Sequence, residues 1–287
     1  MNANAPTPIK PKIDLQAPSV LLMGTVGSGK TYSLSTLLKA GLEVFVIATE
    51  PTGLDSLIDV VMEQKLDINK LHYKAIQPAR TGFDGLLSIA QKVSVMGFEQ
   101  LAKLPPTSGR QDAQWINLLK TCSNFVDDRT GKEYGSIQDF GPDRAFIIDS
   151  LSGINLMAMD MVVGDKPNMH MGEWGIAMTL IEKLVLNLCS GLRCMFILTS
   201  HLEREVNEIT GATQTMASTL GKKLAPKLPR FFSEVVMTYK QDNNFYWSTS
   251  TTGVDLKNRA LPVSDKLPPS FAPIIDTYNK RLALAKG

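Results

Sequence analysis

One octapeptide, Gly24-Thr25-Val26-Gly27-Ser28-Gly29-Lys30-Thr31, constrains this chain more than any other segment. It fits the pattern GxxxxGK[ST] and stands between the apolar run Val20-Leu21-Leu22-Met23 and the helix-prone segment Lys30 to Lys39. Glycines let backbone N–H groups turn toward an anion with no Cβ in the way. The helix that follows aims the positive end of its dipole at the same point. A lysine at the seventh position reaches the β- and γ-phosphates of a nucleoside triphosphate, and a threonine at the eighth ligates magnesium. Lys30 and Thr31 therefore predict a site for ATP and Mg2+. At average residue frequencies the four fixed positions coincide by chance in about one chain of this length in a hundred, and the strand–loop–helix context is stricter still.

The rest of the chain supplies a matching framework. Val44 to Ala48 is a second buried-strand run, ending at Thr49-Glu50-Pro51-Thr52-Gly53, and Gly41 before it reads as a helix stop. Helix-like text follows from Leu54 to Gln64, and Leu71 to Ile76 suits a third strand. Phe83 to Leu104 and Gln114 to Val126 read as amphipathic helices on either side of the loop Pro105 to Gly109. The polar, glycine-rich stretch Asp127 to Asp143 reads as a loop with room for a short hairpin. Ala145 to Ile148 is a strand ending in Asp149-Ser150, and Cys194 to Thr199 is another, ending in Ser200-His201. Between them Ile176, Leu180, Ile181, Leu184 and Leu188 share one helical face. Late in the chain, Phe232 to Tyr239 and Phe245 to Thr251 flank Gln241-Asp242-Asn243-Asn244 as a β-hairpin.

Continuous apolar strands alternating with helices predict an α/β fold: a mostly parallel sheet with helices on both faces and an antiparallel hairpin at its edge. The expected organisation is a flexible leader over 1–17, one domain over 18–272 with 83–143 as a helical elaboration and loop, and a C-terminal tail over 273–287 finishing in a short helix.

Composition narrows the chemistry. A net charge of +2 over 287 residues provides no global field for nucleic acid or membrane, so any DNA contact must come from a local basic patch. Cys122, Cys189 and Cys194 form no CxxC pair and sit in or beside apolar runs, as buried free thiols of a reducing compartment do. His72, His170 and His201 lack metal-ligand spacing. The most apolar stretch, Ile176 to Leu198, is broken by Glu182, Lys183 and Arg193, so no membrane span is expected and the cytoplasm is the default. Met1 to Lys12 lacks the apolar core of a secretory signal.

Three strand ends carry the remaining chemistry. Asp149 closes four apolar residues, where a carboxylate holds magnesium on the same sheet edge as the glycine loop. The next residue is Ser150, so a catalytic base must come from elsewhere. Glu50, ending the strand after the glycine-loop helix, is the candidate to orient an attacking water. His201 ends the strand after Asp149 and is placed to sense the γ-phosphate.

The order of these features resembles the RecA family: the glycine loop, Glu50 after the second strand, an aspartate strand with no following glutamate, then a strand ending in a polar sensor. Phe146-Ile147-Ile148-Asp149-Ser150, Thr199-Ser200-His201 and Leu256-Lys257-Asn258-Arg259 are similar to segments of the short RecA-like ATPases encoded by bacteriophages, some of which act in single-strand annealing. The resemblance covers roughly residues 18 to 272. It implies an ATPase acting on single-stranded DNA in phage-type recombination or annealing, self-associated into a ring or filament with its ATP site shared between subunits. It assigns DNA binding to the loop from Leu202 to Arg230, whose second half carries Lys222, Lys223, Lys227 and Arg230 and no acidic residue. It assigns Lys257 and Arg259 to the neighbouring subunit's ATP. The methionine-dense stretch Asn155 to Gly172 takes the place of the second DNA loop, although methionines at that density suit a core or a subunit interface better. Two departures stand out: a longer interval between Lys30 and Asp149, and no sizeable domain after Ala272. An oligomeric ATPase for protein remodelling or virion assembly is the alternative. A nucleotide kinase ranks lower, because Asp127 to Asp143 holds only Arg129 and Lys132 where a lid would need arginines.

Overall fold

The computed structural model describes residues 15–50, 52–77, 82–97, 99–100, 114–164, 170–206, 213–221 and 223–286. In chain order the elements are β1 (Ser19–Gly24), α1 (Lys30–Lys39), β2 (Glu43–Ala48), α2 (Gly53–Glu63), β3 (Leu71–Ala75), α3 (Phe83–Val95), α4 (Gln114–Ser123), β4 (Arg144–Asp149), α5 (Leu151–Val163), α6 (Met171–Gly191), β5 (Met195–Ser200), β6 (Leu202–Val206), β7 (Thr213–Ala217), β8 (Glu234–Gln241), β9 (Asn244–Ser248) and α7 (Ala272–Lys286).

Seven strands form one sheet in the order β3-β2-β4-β5-β1-β8-β9, parallel throughout except for the terminal β8–β9 hairpin. β1 lies between β5 and β8, with Leu21 opposite Leu198 on one side and Val235 on the other. Strand alternation sends side chains to two cores, as a sheet covered on both faces requires. Leu21, Phe45, Phe146, Ile148 and Leu198 meet Leu118, Ile154, Met157, Ile181 and Val185 from α4, α5 and α6. Val20, Leu22, Val44, Ile147 and Ile197 meet Leu34, Leu37, Leu57, Val61, Ile274 and Ile275 from α1, α2 and α7. The hairpin turns through Asp242 and Asn243, both at positive φ (49° and 61°), the two-residue geometry whose twist matches the flanking strands.

The expected α/β sheet, its helical layers and its edge hairpin are therefore present, with several corrections. Asn155 to Val163 is not a loop. It belongs to α5, where Met157 and Met159 are buried, while Met169 lies outside the described residues. Leu202 to Arg230 is not one flexible loop either. It begins with the antiparallel pair β6–β7 (Leu202 opposite Ala217) and continues through turns to a short 3-10 helix, Leu228–Arg230. The first helix of the elaboration runs over Phe83–Val95 and the second ends at Ser123 instead of Val126, while the end expected at Leu104 lies outside the described residues. The C-terminal segment buries Ile274, Ile275 and Tyr278, so it is part of the core and not an appended tail. Residues 1–14 of the expected leader lie outside the described residues, but Gln16 donates to the Cys189 carbonyl and Ala17 is buried.

The loop after α4 is latched to edge strand β3. The buried Asp127 carboxylate accepts from the Tyr73 and Arg129 amides and from the Thr130 hydroxyl, and Asp128 accepts from Lys74 and the Ala75 amide. Among the described residues, no helix is long and apolar enough to cross a membrane.

Candidate functional site

The glycine loop leaves β1 at Gly24 and enters α1 at Lys30. Gly27 and Gly29 hold φ of 71° and 92°, a left-handed backbone that costs glycine little. Gly29 is the N-cap of α1 and has no side chain to cap it. The first-turn amides of Lys30, Thr31 and Tyr32 consequently find no acceptor among the described residues, and the chain folds back only at the Ser33 amide, which donates to Gly29 O at 2.9 Å. Open amide donors at a helix N-terminus are suited to an anion. β8 braces the loop from beneath, Thr238 Oγ1 donating to Ser28 O at 2.8 Å. Lys30 Nζ spans the loop, donating to Gly24 O and Thr25 O, each at 2.9 Å. Burial lowers the pKa of its ammonium, against the pull of the Asp149 and Glu50 charges.

Glu50 and His201 reach the same place from other strands. His201 Nδ1 lies 3.4 Å from Lys30 Nζ and its Nε2 lies 3.2 Å from Glu50 Oε1. The ammonium can only donate and the carboxylate can only accept, so the pair selects the tautomer with the proton on Nε2. The His201 hydrogen bond holds the Glu50 carboxyl below its ordinary value against the cost of burial, and the Ser150 hydroxyl, which also donates to Oε1, works in the same direction. Asp149 is buried beside them. Burial pushes its carboxyl up, and the Thr199 hydroxyl donating to Oδ1 works against that shift.

Thr31 is half-buried in the first turn of α1. Among the described residues, no group of three or more His, Cys, Asp or Glu gathers to hold a metal. A hydroxyl and a single carboxylate are nevertheless the donors magnesium takes from a protein when phosphates and water complete its shell. Thr31 offers a hydroxyl and Asp149 a buried carboxylate, donor types of that kind.

The sequence-derived cations lie elsewhere. Lys257 bridges Val235, the register partner of Leu21, three residues before the end of β1 and so roughly 10 Å along the strand from the loop. Its Nζ donates to Phe232 O at 2.6 Å. The backbone amides of Arg259 and Ala260 clasp the buried Glu234 carboxylate. Neither cation is near its own chain's glycine loop. Lys227 pairs with Glu182 at 2.9 Å, while Lys223 and Arg230 are exposed and Lys222 lies outside the described residues. Glu203, Arg204 and Glu205 of β6 and Met216 of β7 line a groove of about 330 Å³.

Sequence reasoning missed Thr49 and Thr199, polar residues buried at strand ends beside Glu50 and Asp149. Their position at the end of an apolar run was the available signal. It also missed Phe245, whose ring packs on Gly29, because contacts between residues so distant in sequence leave no local pattern. No protein-family model matches the chain, and no curated protein matches it.

Proposed function

We propose that this chain is a magnesium-dependent RecA-like ATPase that couples its nucleotide state to single-stranded DNA. The convergence of Lys30, His201 and Glu50 into one contact chain at the glycine loop carries the reading. In it, Gly24 to Thr31 is a phosphate-binding loop. The open amides of α1 and the Lys30 ammonium take the β- and γ-phosphates, Lys30 exchanging its loop carbonyls for phosphate oxygens. Thr31 and Asp149 would hold magnesium, which when bound would supply charge neutralisation at the phosphate oxygens. Glu50 orients a water toward the γ-phosphorus. The new P–O bond forms from that water, the bond to the β-phosphate oxygen breaks, and ADP and inorganic phosphate leave.

His201 connects this centre to the rest of the molecule. It is the single residue between β5 of the main sheet and β6 of the hairpin, and its carbonyl accepts from the Ser218 amide beyond β7. Lys223 and Arg230 are exposed, as is Arg204 of β6, and they would be available to a polynucleotide backbone, a role also proposed for Lys222. Lys257 and Arg259, distant from their own loop, suit the proposed role of completing a neighbouring subunit's site in a ring or filament.

Two observations favour a second reading, an oligomeric ATPase for protein remodelling or virion assembly: Lys227 is already paired with Glu182, and the groove beside the hairpin carries Glu203 and Glu205. Magnesium-dependent ATP hydrolysis measured with and without single-stranded DNA at low salt separates the two. Stimulation by DNA is expected. Hydrolysis indifferent to DNA, with no DNA binding, would leave the second reading, and absence of magnesium-dependent nucleotide binding would end both.

A further inference from the structure

The geometry points to Tyr32 and Phe245 as the aromatic platform on which the base of the bound nucleotide stacks, an inference that rests on the ATPase reading above. Its starting point is direction. Glu50, Asp149 and His201 all follow or end strands on the β5 side of β1, namely β2, β4 and β5. A triphosphate whose γ end faces those groups runs its α end the other way, past the first turn of α1 toward β8 and β9.

Two rings stand there. Phe245 packs so closely on the loop that a Cβ placed on Gly29 would lie 2.6 Å from its ring carbons. Tyr32 pairs with it at a centroid distance of 5.2 Å and an interplanar angle of 42°. Both side chains are only half-buried, so each keeps part of its surface open beside the loop. Tyr32 also contributes one of the three open first-turn amides, which ties its ring to the backbone that would hold the phosphates.

The platform is tied to α1 through its neighbour on β9. Two residues along the same face of β9, Trp247 is fully buried and its Nε1 donates to Ser33 Oγ of α1 at 3.1 Å. Trp247 and Phe271 also meet edge to face, with ring centroids 4.8 Å apart. The hairpin is thereby fastened to the helix whose N-terminus presents the open amides, and Phe245 is carried on that hairpin. An aromatic face held beside an anion site suits the π face of a base, and stacking of that kind does not require hydrogen bonds to the base edge.

Binding of ATP and of inorganic tripolyphosphate, each with Mg2+, is to be compared by calorimetry on the full chain and on Tyr32→Ala, Phe245→Leu and Phe245→Trp. Phe245→Leu keeps an apolar filler against Gly29 and so preserves folding where an alanine would leave a hole. Tyr32→Ala and Phe245→Leu are expected to weaken ATP roughly 5- to 150-fold, the range that stacking energies give. Both should leave tripolyphosphate within about twofold, and Phe245→Trp should retain ATP. ATP and tripolyphosphate falling in step would show that the rings only shape the loop, and ATP unchanged in both variants would remove the platform; either result overturns the inference while leaving the ATPase reading intact. Wild-type protein that binds neither probe would refute that reading and the inference with it.

Discussion

Thr49 and Ser150 are stapled to each other across the ends of β2 and β4: Thr49 Oγ1 donates to Ser150 O at 2.8 Å and accepts from the Ser150 amide at 2.7 Å. The Thr49 amide donates in turn to Asp149 O at 2.8 Å. Both residues are buried, so these bonds form in a low dielectric where leaving them unmade would be costly. Glu50 is the next residue after Thr49 and Asp149 the one before Ser150. The staple therefore sets the separation of the two carboxylates.

Gly153 guards that staple. A Cβ there would press on the Thr49 side chain and lie 2.9 Å from the Thr49 carbonyl, and neither neighbour is a flexible chain end. Gly153→Ala is expected to cost about 1–3 kcal/mol in urea unfolding and to reduce ATP turnover more than ATP affinity. Equal losses of both would mean that the damage stays in the helix packing and does not reach Glu50.

Glu50→Gln keeps the shape of the side chain and removes its charge. Affinity for Mg·ATP should change by no more than a few-fold, while turnover drops by about 10²–10⁴ as expected for loss of a positioned general base. Single-turnover hydrolysis measures the chemical step directly, and an unchanged rate there takes Glu50 out of the base role.

Asp127 gives an acid-dependent contribution to folding. Its burial works against the charge, but hydrogen bonds from Thr130, the Tyr73 and Arg129 amides and His72 outweigh it and hold the carboxyl below its ordinary value of 3.8. The folded value lies beneath the unfolded one, so the stabilisation is complete above the unfolded value and is lost as pH falls through the folded one. Asp127→Asn should therefore be less stable by about 1–3 kcal/mol near pH 7, and the gap from wild type should close as the solution is taken below pH 4 (about the unfolded value). A gap constant with pH would assign the effect to packing.

The cysteines are expected to be inert in the folded state. Burial pushes the thiols of the buried Cys189 and Cys194 up to about 12 each, and that of Cys122 as far although its residue is only half-buried against the core. At pH 8 only about one in 10⁴ of each is thiolate, the reactive form. Alkylation by iodoacetamide should therefore be slow in buffer and rapid in urea; fast labelling of native protein would show that one of them is reached.

The parts of this molecule that were legible in its sequence are those written locally. β1, β2, β4 and β5 are unbroken apolar runs because both of their faces are covered, and Glu50, Asp149 and His201 could be placed because they stand where those runs stop. Two stretches were opaque for opposite reasons. α5 is buried on most of its circumference, so Ile154, Met157, Ala158 and Val162 appear within a nearly continuous apolar text that shows no helical period. The β6–β7 pair is half-exposed, and Glu203, Arg204, Glu205, Thr213 and Gln214 give it no apolar alternation to detect. The contacts of Ser28 with Thr238 and of Gly29 with Phe245 depend on strand order, which places the hairpin beside β1 and which no single segment encodes.

The one-residue junction at His201 also sets the β6–β7 ribbon directly beyond the contacts to Glu50 and Lys30. β6 extends from it for five residues, about 17 Å of strand. A tilt of some ten degrees where the ring meets Glu50 and Lys30 would sweep the far end of the ribbon through about 3 Å, by the same strand length. A small adjustment beside the glycine loop would thus be magnified into a displacement comparable with the rise between neighbouring residues of an extended polymer.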